Sequence, residues 1–213
     1  MSAQAAPRGD PHNLGHGDTP ANDRGPAPKR IVVAYGFWIF LLSDFVMFAG
    51  FFAAYAVLVG ETAGGHAGRD LFELPLVAWE TSFLLLSSFA CGMAGVATLA
   101  KHRLAFQVAM AATALLGAAF LALELYEFTH LIGEGAGPSR SAFLSAFFAL
   151  VGLHGLHVTL GLVWLTTMMA QVWAKGFRED ICRRIACFSL FWHALDIIWV
   201  ALFTVVYLLG TIA

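Results

Sequence analysis

Charge is scarce in this sequence. Only 12% of its 213 residues are Asp, Glu, Lys or Arg, where soluble domains carry roughly 25%. A water-facing surface cannot be built from so few charges, which excludes an ordinary soluble domain. No basic stripe is present, so nucleic acid is not an expected partner. Cysteine is nearly absent: there are three, and they form no framework. Cys91 lies inside an apolar run, and Cys182 and Cys187 flank Arg183 and Arg184 at a spacing that fits no zinc pattern. Proline is confined, with five of the seven (Pro7, Pro11, Pro20, Pro26, Pro28) inside the first 30 residues. Alternating strand patterns and internal repeats are both missing.

Apolar residues make up 59% of the chain, gathered into long runs. A hydrocarbon core of about 30 Å takes about 20 residues as helix. Five segments qualify, at about 32–59, 75–100, 104–130, 141–173 and 184–212. The expected fold is therefore an all-α integral membrane protein, a bundle of five transmembrane helices over residues 31–213. Gly64-Gly65 and the run Gly133, Gly135, Gly137, Pro138 mark two of the connections as loops. Residues 1–30 hold almost nothing large and apolar, and no signal-peptide core. They predict a disordered tail, with His12 and His16 as solvated residues rather than metal ligands.

Lys and Arg set the orientation. The tail has Arg8, Arg24, Lys29 and Arg30. The second loop has Lys101 and Arg103, and the fourth connection has Lys175, Arg178, Arg183 and Arg184. The opposite side has only Arg69 and Arg140, so the count is ten against two. The expectation is a cytoplasmic N-terminus and tail, and a periplasmic C-terminus. The thiols Cys182 and Cys187 would then lie on the reducing side.

Ionisable residues fall inside these spans: Asp44, Glu80, Glu124, Glu127, His130, His154, His157, His193 and Asp196. A charge at the bilayer centre costs about 3 kcal/mol or more, so each needs a partner, a proton or a wet setting. At about 1.5 Å per residue, Asp44, His154, His157, His193 and Asp196 fall near mid-membrane. Glu80, Glu124, Glu127 and His130 fall in the outer half. Glu124–Glu127, Glu127–His130, His154–His157 and His193–Asp196 are i,i+3 neighbours on a helix face. His193 and Asp196 are expected to pair as a structural joint. Two readings of the set stand side by side: helix-joining hydrogen bonds and proton-related chemistry.

The same residues raise other functions. A haem bound between two histidines would need ligands at matched depth, which His193 and either His154 or His157 offer. Glu127-x-x-His130 is one half of a di-iron pattern that requires two such motifs and two further Glu. A proton-linked transporter would carry an internal repeat and broken helices, and neither is found. Gly152, Gly155 and Gly161 would let backbones approach closely. Trp79, Trp173 and Tyr207, near span ends, fit interface belts. Phe45, Phe48, Phe51 and Phe52 fit packing against helices or acyl chains, as does the face shared by Trp192 and Trp199.

Motifs in every helix resemble the five-helix branch of the haem–copper oxidase subunit III family, over about residues 35–210. They include Phe37-Trp38-Ile39-Phe40-Leu41-Leu42-Ser43-Asp44, Glu73-Leu74-Pro75 with Trp79-Glu80-Thr81, and Glu124-Leu125-Tyr126-Glu127-Phe128. His154-Gly155-Leu156-His157 and Trp192-His193-Ala194-Leu195-Asp196-Ile197-Ile198-Trp199 are superfamily motifs. The run from Gly137-Pro138-Ser139-Arg140 to Phe147-Phe148 is similar to the cytochrome o ubiquinol oxidase branch. Mitochondrial relatives have seven helices, and Glu where this chain has Asp44. The resemblance implies that Asp44 stands where the wider family has a carbodiimide-reactive glutamate. It implies an accessory subunit of a proton-pumping terminal oxidase in a bacterial inner membrane, supporting assembly, stability and lipid binding. It implies no catalytic centre, haem or metal in this chain, two haems and one copper in subunit I, and ubiquinol as the donor. The implied partners are subunits I, II and IV and membrane phospholipids. A cytochrome c oxidase subunit III remains the alternative, with a stand-alone haem protein or proton-linked membrane protein behind it.

Overall fold

A computed structural model of the chain describes residues 29–64, 73–208 and 210. All but the last two residues of the expected tail lie outside that set, as do Gly65 and Arg69 of the first loop. Five helices run in chain order: α1 Lys29–Leu58, α2 Leu74–Leu99, α3 Arg103–Gly133, α4 Ala142–Lys175 and α5 Glu179–Leu202. A π-helical turn, Phe203–Leu208, prolongs α5. Each of the five, α5 taken with that turn, is long and apolar enough to cross a membrane, and no strand occurs among the described residues. The chain is an all-helical, multi-pass membrane bundle.

The ends of the helices follow local chemistry. Pro75 opens α2, where a missing N–H costs nothing. His102 Nδ1 accepts from the Ala105 N–H at 3.1 Å and caps α3. Ser141 Oγ does the same for α4, accepting from Leu144 at 3.2 Å. Gly176, at φ 71°, ends α4 in the left-handed region that favours glycine.

Helices α2, α3, α4 and α5 close a ring of neighbours, and α1 leans on α4 and α5. Its buried large residues are Leu41, Phe48 and Tyr55, one every seven residues. That spacing is a single coiled-coil-like seam, and the rest of α1 is largely exposed. The seam is aromatic: Phe48 meets the ring of His157 at 5.3 Å and Tyr55 meets Phe143 at 6.0 Å. One turn before Leu41, half-buried Phe37 meets Trp164 at 5.9 Å.

Small residues let the ring close. A Cβ on Gly117 of α3 would stand 3.0 Å from the Trp192 indole, and one on Gly161 of α4 would stand 2.8 Å from it. Trp192 of α5 is thus held between two backbones, and its indole N–H donates to Ser87 Oγ of α2 at 3.0 Å. A single side chain touches all four helices of the ring. A Cβ on Gly155 would meet the Glu124 carboxyl at 2.5 Å, whereas one on Gly152 would find ordinary contact with Phe128 at 3.7 Å.

This difference predicts unequal tolerance. Gly161→Leu drives a side chain into a rigid, clamped indole, an overpacking that costs about 1–3 kcal/mol. Gly152→Ala adds a methyl in ordinary contact with Phe128 and should not lower stability. Thermal unfolding of the purified chain should show a lowered midpoint for Gly161→Leu only. Equal midpoints would mean that the Trp192 clasp contributes nothing.

Candidate functional site: two buried polar layers

Along the ring, polar side chains join helices whose remaining surfaces are apolar. The α2–α5 contact carries most of them. Trp199 Nε1 donates to Thr81 Oγ1 at 3.0 Å, Trp192 Nε1 donates to Ser87, and Ser88 Oγ shares a hydrogen bond with His193 Nδ1 at 2.7 Å. The Cys91 thiol lies against Ser189. Residue numbers rise on α2 as they fall on α5, so the seam is antiparallel. Thr113 Oγ1 of α3 donates to the Ser87 carbonyl at 3.4 Å and ties the seam to a third helix.

The mid-depth layer contains five of the predicted residues. His154 is fully buried. Its Nε2 meets the Leu195 carbonyl at 3.2 Å, and its ring lies between Phe120 and Trp199 at 5.6 and 5.1 Å. His157 Nδ1 bonds the Leu153 carbonyl of its own helix at 2.8 Å. Hence His154 and His157, neighbours on α4, take different partners. Asp44 is half-buried and lies near His157. Asp196 lies beside both His193 and Ser88. The His193 ring therefore has a partner on another helix in addition to its neighbour on α5.

The second layer lies toward the first and third loops. Glu80 of α2, and Glu124 and Glu127 of α3, are 0%, 2% and 4% exposed. Glu127 Oε2 accepts from the Tyr207 hydroxyl at 2.8 Å. Both oxygens of Glu80, Glu124 Oε2 and Glu127 Oε1 have no hydrogen-bond partner among the described residues. Glu124 rests on the bare backbone of Gly155, which explains the glycine between the two α4 histidines. His130 sits at the surface, its Nε2 3.8 Å from Glu134 Oε1.

Tyr207 is the residue that sequence reasoning misplaced. Its position near a span end suggests an interface belt, as the exposed Trp79 and Trp173 do show. Instead it is fully buried. The π-helical turn shifts the register of α5 so that the phenol faces Glu127. Val206 in the same turn accepts from the Tyr55 hydroxyl of α1 at 3.3 Å. Such turns occur often at functional sites, but their register change leaves no periodic signal in an all-apolar run.

Among the described residues no group of three or more His, Cys, Asp and Glu is arranged to hold a metal ion. A haem ligand needs a free ring nitrogen facing open space. His154 Nδ1 has no hydrogen bond among the described residues but is buried, and the ring lies between Phe120 and Trp199.

Comparison with known proteins decides the lineage. Residues 26–211 match the family described as cytochrome c oxidase subunit III. The chain belongs to the cytochrome c oxidase subunit III family. Within it, the chain is 52% identical over 206 residues to the cytochrome bo(3) ubiquinol oxidase subunit 3 of Pseudomonas aeruginosa, covering 95% of each chain. It is 52% identical over 177 residues to the protein of that name from Pseudomonas putida, covering 83% of this chain and 86% of that one. The quinol oxidase subunit 3 of Bacillus subtilis is 45% identical over 176 residues, covering 82% and 86%.

For this subunit III family member, the mid-depth joint makes a prediction that differs from a simple His193–Asp196 pair. Asp196→Ala leaves His193 its Ser88 partner, whereas Ser88→Ala removes the hydroxyl that meets both His193 Nδ1 and Asp196 and takes away the joint's link to α2. An unsatisfied buried polar group costs about 1–3 kcal/mol. Thermal unfolding should therefore rank Ser88→Ala below Asp196→Ala, with Ser88→Thr near the parent. The reverse order would place the joint on the carboxylate.

Proposed function

We propose that this chain is the accessory, non-redox subunit III of a proton-pumping haem–copper ubiquinol oxidase in a bacterial inner membrane. The observation that carries the reading is the 52% identity to the Pseudomonas aeruginosa ubiquinol oxidase subunit 3 across nearly all of both chains. In this reading subunit I holds two haems and one copper and performs dioxygen reduction, quinol oxidation and pumping. Subunits I, II and IV are the neighbours of this chain, with phospholipid along its exposed apolar sides.

The geometry fits a supporting role. The histidines that invite a haem reading are used in the packing of the bundle. His154 is spent on the Leu195 carbonyl and two aromatic rings, and His193 on Ser88. Of the nine predicted polar residues, His154 and His193 bond other helices, Glu127 bonds Tyr207, and His130 lies at the surface beside Glu134. The family description favours a cytochrome c oxidase as the second reading. The run from Gly137 to Phe148 and the names of the relatives favour quinol.

Two measurements test this. Affinity purification of the intact chain from native membranes in mild detergent should bring down haem-containing oxidase subunits with ubiquinol oxidase activity. The separated chain should show no haem absorption. A stoichiometric haem band in the separated chain would reverse the assignment.

The ten-to-two asymmetry of Lys and Arg supports a cytoplasmic N-terminus and a periplasmic C-terminus. A reporter fused after Ala213 should then be active only outside the cytoplasm. Cytoplasmic activity there would overturn the orientation.

A further inference from the structure

The carboxyl layer is more than a packing feature, because it adjoins a cavity. Between the start of α2 and the end of α3 lies a cavity of about 30 Å³, lined by Glu73, Leu76, Tyr126, Glu127, His130 and Leu131. A water needs at least about 10–15 Å³ of such space and two to four polar partners. This cavity has the room, and the side chains of Glu73, Glu127, His130 and Tyr126 supply the partners. It lies where α2 begins and α3 ends, the side of the first and third loops. Glu127 is shared: it lines the cavity and receives the Tyr207 hydroxyl in the dry interior.

We propose that Glu80, Glu124, Glu127 and Tyr207 form a proton-exchanging store, loaded and emptied through the hydrated Glu73–His130 cavity on the loop side of the bundle. The site binds protons and the water that carries them. This goes beyond an accessory role and does not depend on whether the oxidase uses quinol or cytochrome c. The orientation argued above places the opening on the periplasmic side.

Geometry and the chemistry of the surroundings carry the inference. Three carboxyl groups from two helices interact electrostatically with one another and with Tyr207. No Lys or Arg forms an ion pair with any of them among the described residues. Three negative charges without a counter-ion cannot be held in a buried setting of this kind, so protons must reside there. Glu80 is the independent witness. It comes from a different helix than the Glu124–Glu127 pair and is fully buried. Neither of its oxygens has a partner among the described residues. A purely structural carboxyl would be expected to bond the opposite helix, as Glu127 bonds Tyr207.

The groups facing the layer can be named for each packed element. Helix α2 contributes Glu73 and Glu80; α3 contributes Glu124, Tyr126, Glu127 and, at its surface end, His130 with Glu134 beyond it. The π-helical turn contributes Tyr207. Helix α1 contributes Tyr55, whose hydroxyl is engaged by the Val206 carbonyl. From α4 the contact is the backbone of Gly155, with His154 turned away to Leu195. No permanent cation is among them. On loading, a proton entering from the loop side is relayed by cavity water, which ends as water, to a Glu127 carboxylate oxygen, giving the neutral acid. The proton is then redistributed to Glu124 or Glu80, and release retraces the path.

Infrared spectroscopy of the full chain in lipid bilayers tests this, because neutral carboxyl groups give C=O bands distinct from carboxylate. Bands assigned by loss in Glu80→Gln, Glu124→Gln and Glu127→Gln should shift downward promptly in D₂O. At least one should convert to carboxylate as the pH is raised from mildly acidic to mildly alkaline. Leu76→Trp fills the cavity without replacing an acid. It should slow the D₂O shift by about tenfold or more while leaving the bands present, since exchange would then await local opening. Bands that stay unshifted for hours, or that never titrate, would overturn the store. A Leu76→Trp rate equal to the parent's would overturn the cavity as its route. If the Gln variants do not fold, the titration and the Leu76→Trp comparison on native acids still decide.

Discussion

The bundle depends on one clasp, the Trp192 indole held between the backbones of Gly117 and Gly161 with its N–H on Ser87. Water contributes nothing to helix association inside a bilayer, since lipid tails are as apolar as the helices. Close packing and hydrogen bonds have to supply it. Trp192 supplies both at one point: ring faces against two glycine backbones, and a polar edge against α2. Because α2, α3, α4 and α5 meet there, it fixes how closely the four helices approach at that depth. Upward from the clasp, the same α2–α5 seam delivers Ser88 to His193 and Thr81 to Trp199. The Trp199 ring in turn stands over Phe120 and His154. The mid-depth layer is thus organised by packing rather than by a ligand.

The carboxyl layer is organised by a different device. Gly155 makes room for the Glu124 carboxyl at a position where any side chain would collide. The π-helical turn then adds a phenol that no regular α-helix would present at that place. Each departure from regular structure costs local stability: glycine lowers helix propensity by about 1 kcal/mol relative to alanine, and π-helical hydrogen bonding is uncommon. Both departures serve the same small volume around Glu124 and Glu127. Two independent irregularities converging on one buried acid pair are hard to explain as packing alone. They are the sort of local cost that functional sites carry.

The number of helices was legible because a bilayer enforces length and apolarity on each segment, and residues 32–59 or 104–130 advertise both. Trp79 and Trp173 at the surface were legible for the same reason. Gly155 and Gly161 were legible as sites of close approach, but their partners were not. A glycine records that something comes near without saying whether it is Glu124 or Trp192. The i,i+3 rule found neighbours on one helix and missed the partners across helices. It therefore paired His193 with Asp196 before Ser88, and Glu127 with His130 before Tyr207. Tyr207 was illegible for a stricter reason. A register shift inside an apolar run changes which face a residue occupies while leaving composition and spacing untouched.

What the bundle leaves open is as informative as what it closes. Helix α1 is held by a single aromatic seam, and most of its circumference is exposed apolar surface. Yet Asp44, on that helix, is only half-buried, and one of its oxygens is enclosed without a partner among the described residues. Asp196 on α5 stands in the same position, half-buried with Oδ1 unpaired. Lipid cannot donate a hydrogen bond at this depth, and an acid facing acyl chains carries a cost of about 3 kcal/mol if charged. A proton on the acid removes that cost, as does a donor from a neighbouring helix at an oxygen that the bundle leaves accessible. The ring is complete in itself, but these two acids are not. Half-buried acids at mid-depth and the exposed apolar circumference of α1 are what one wall of a multi-subunit membrane assembly would present.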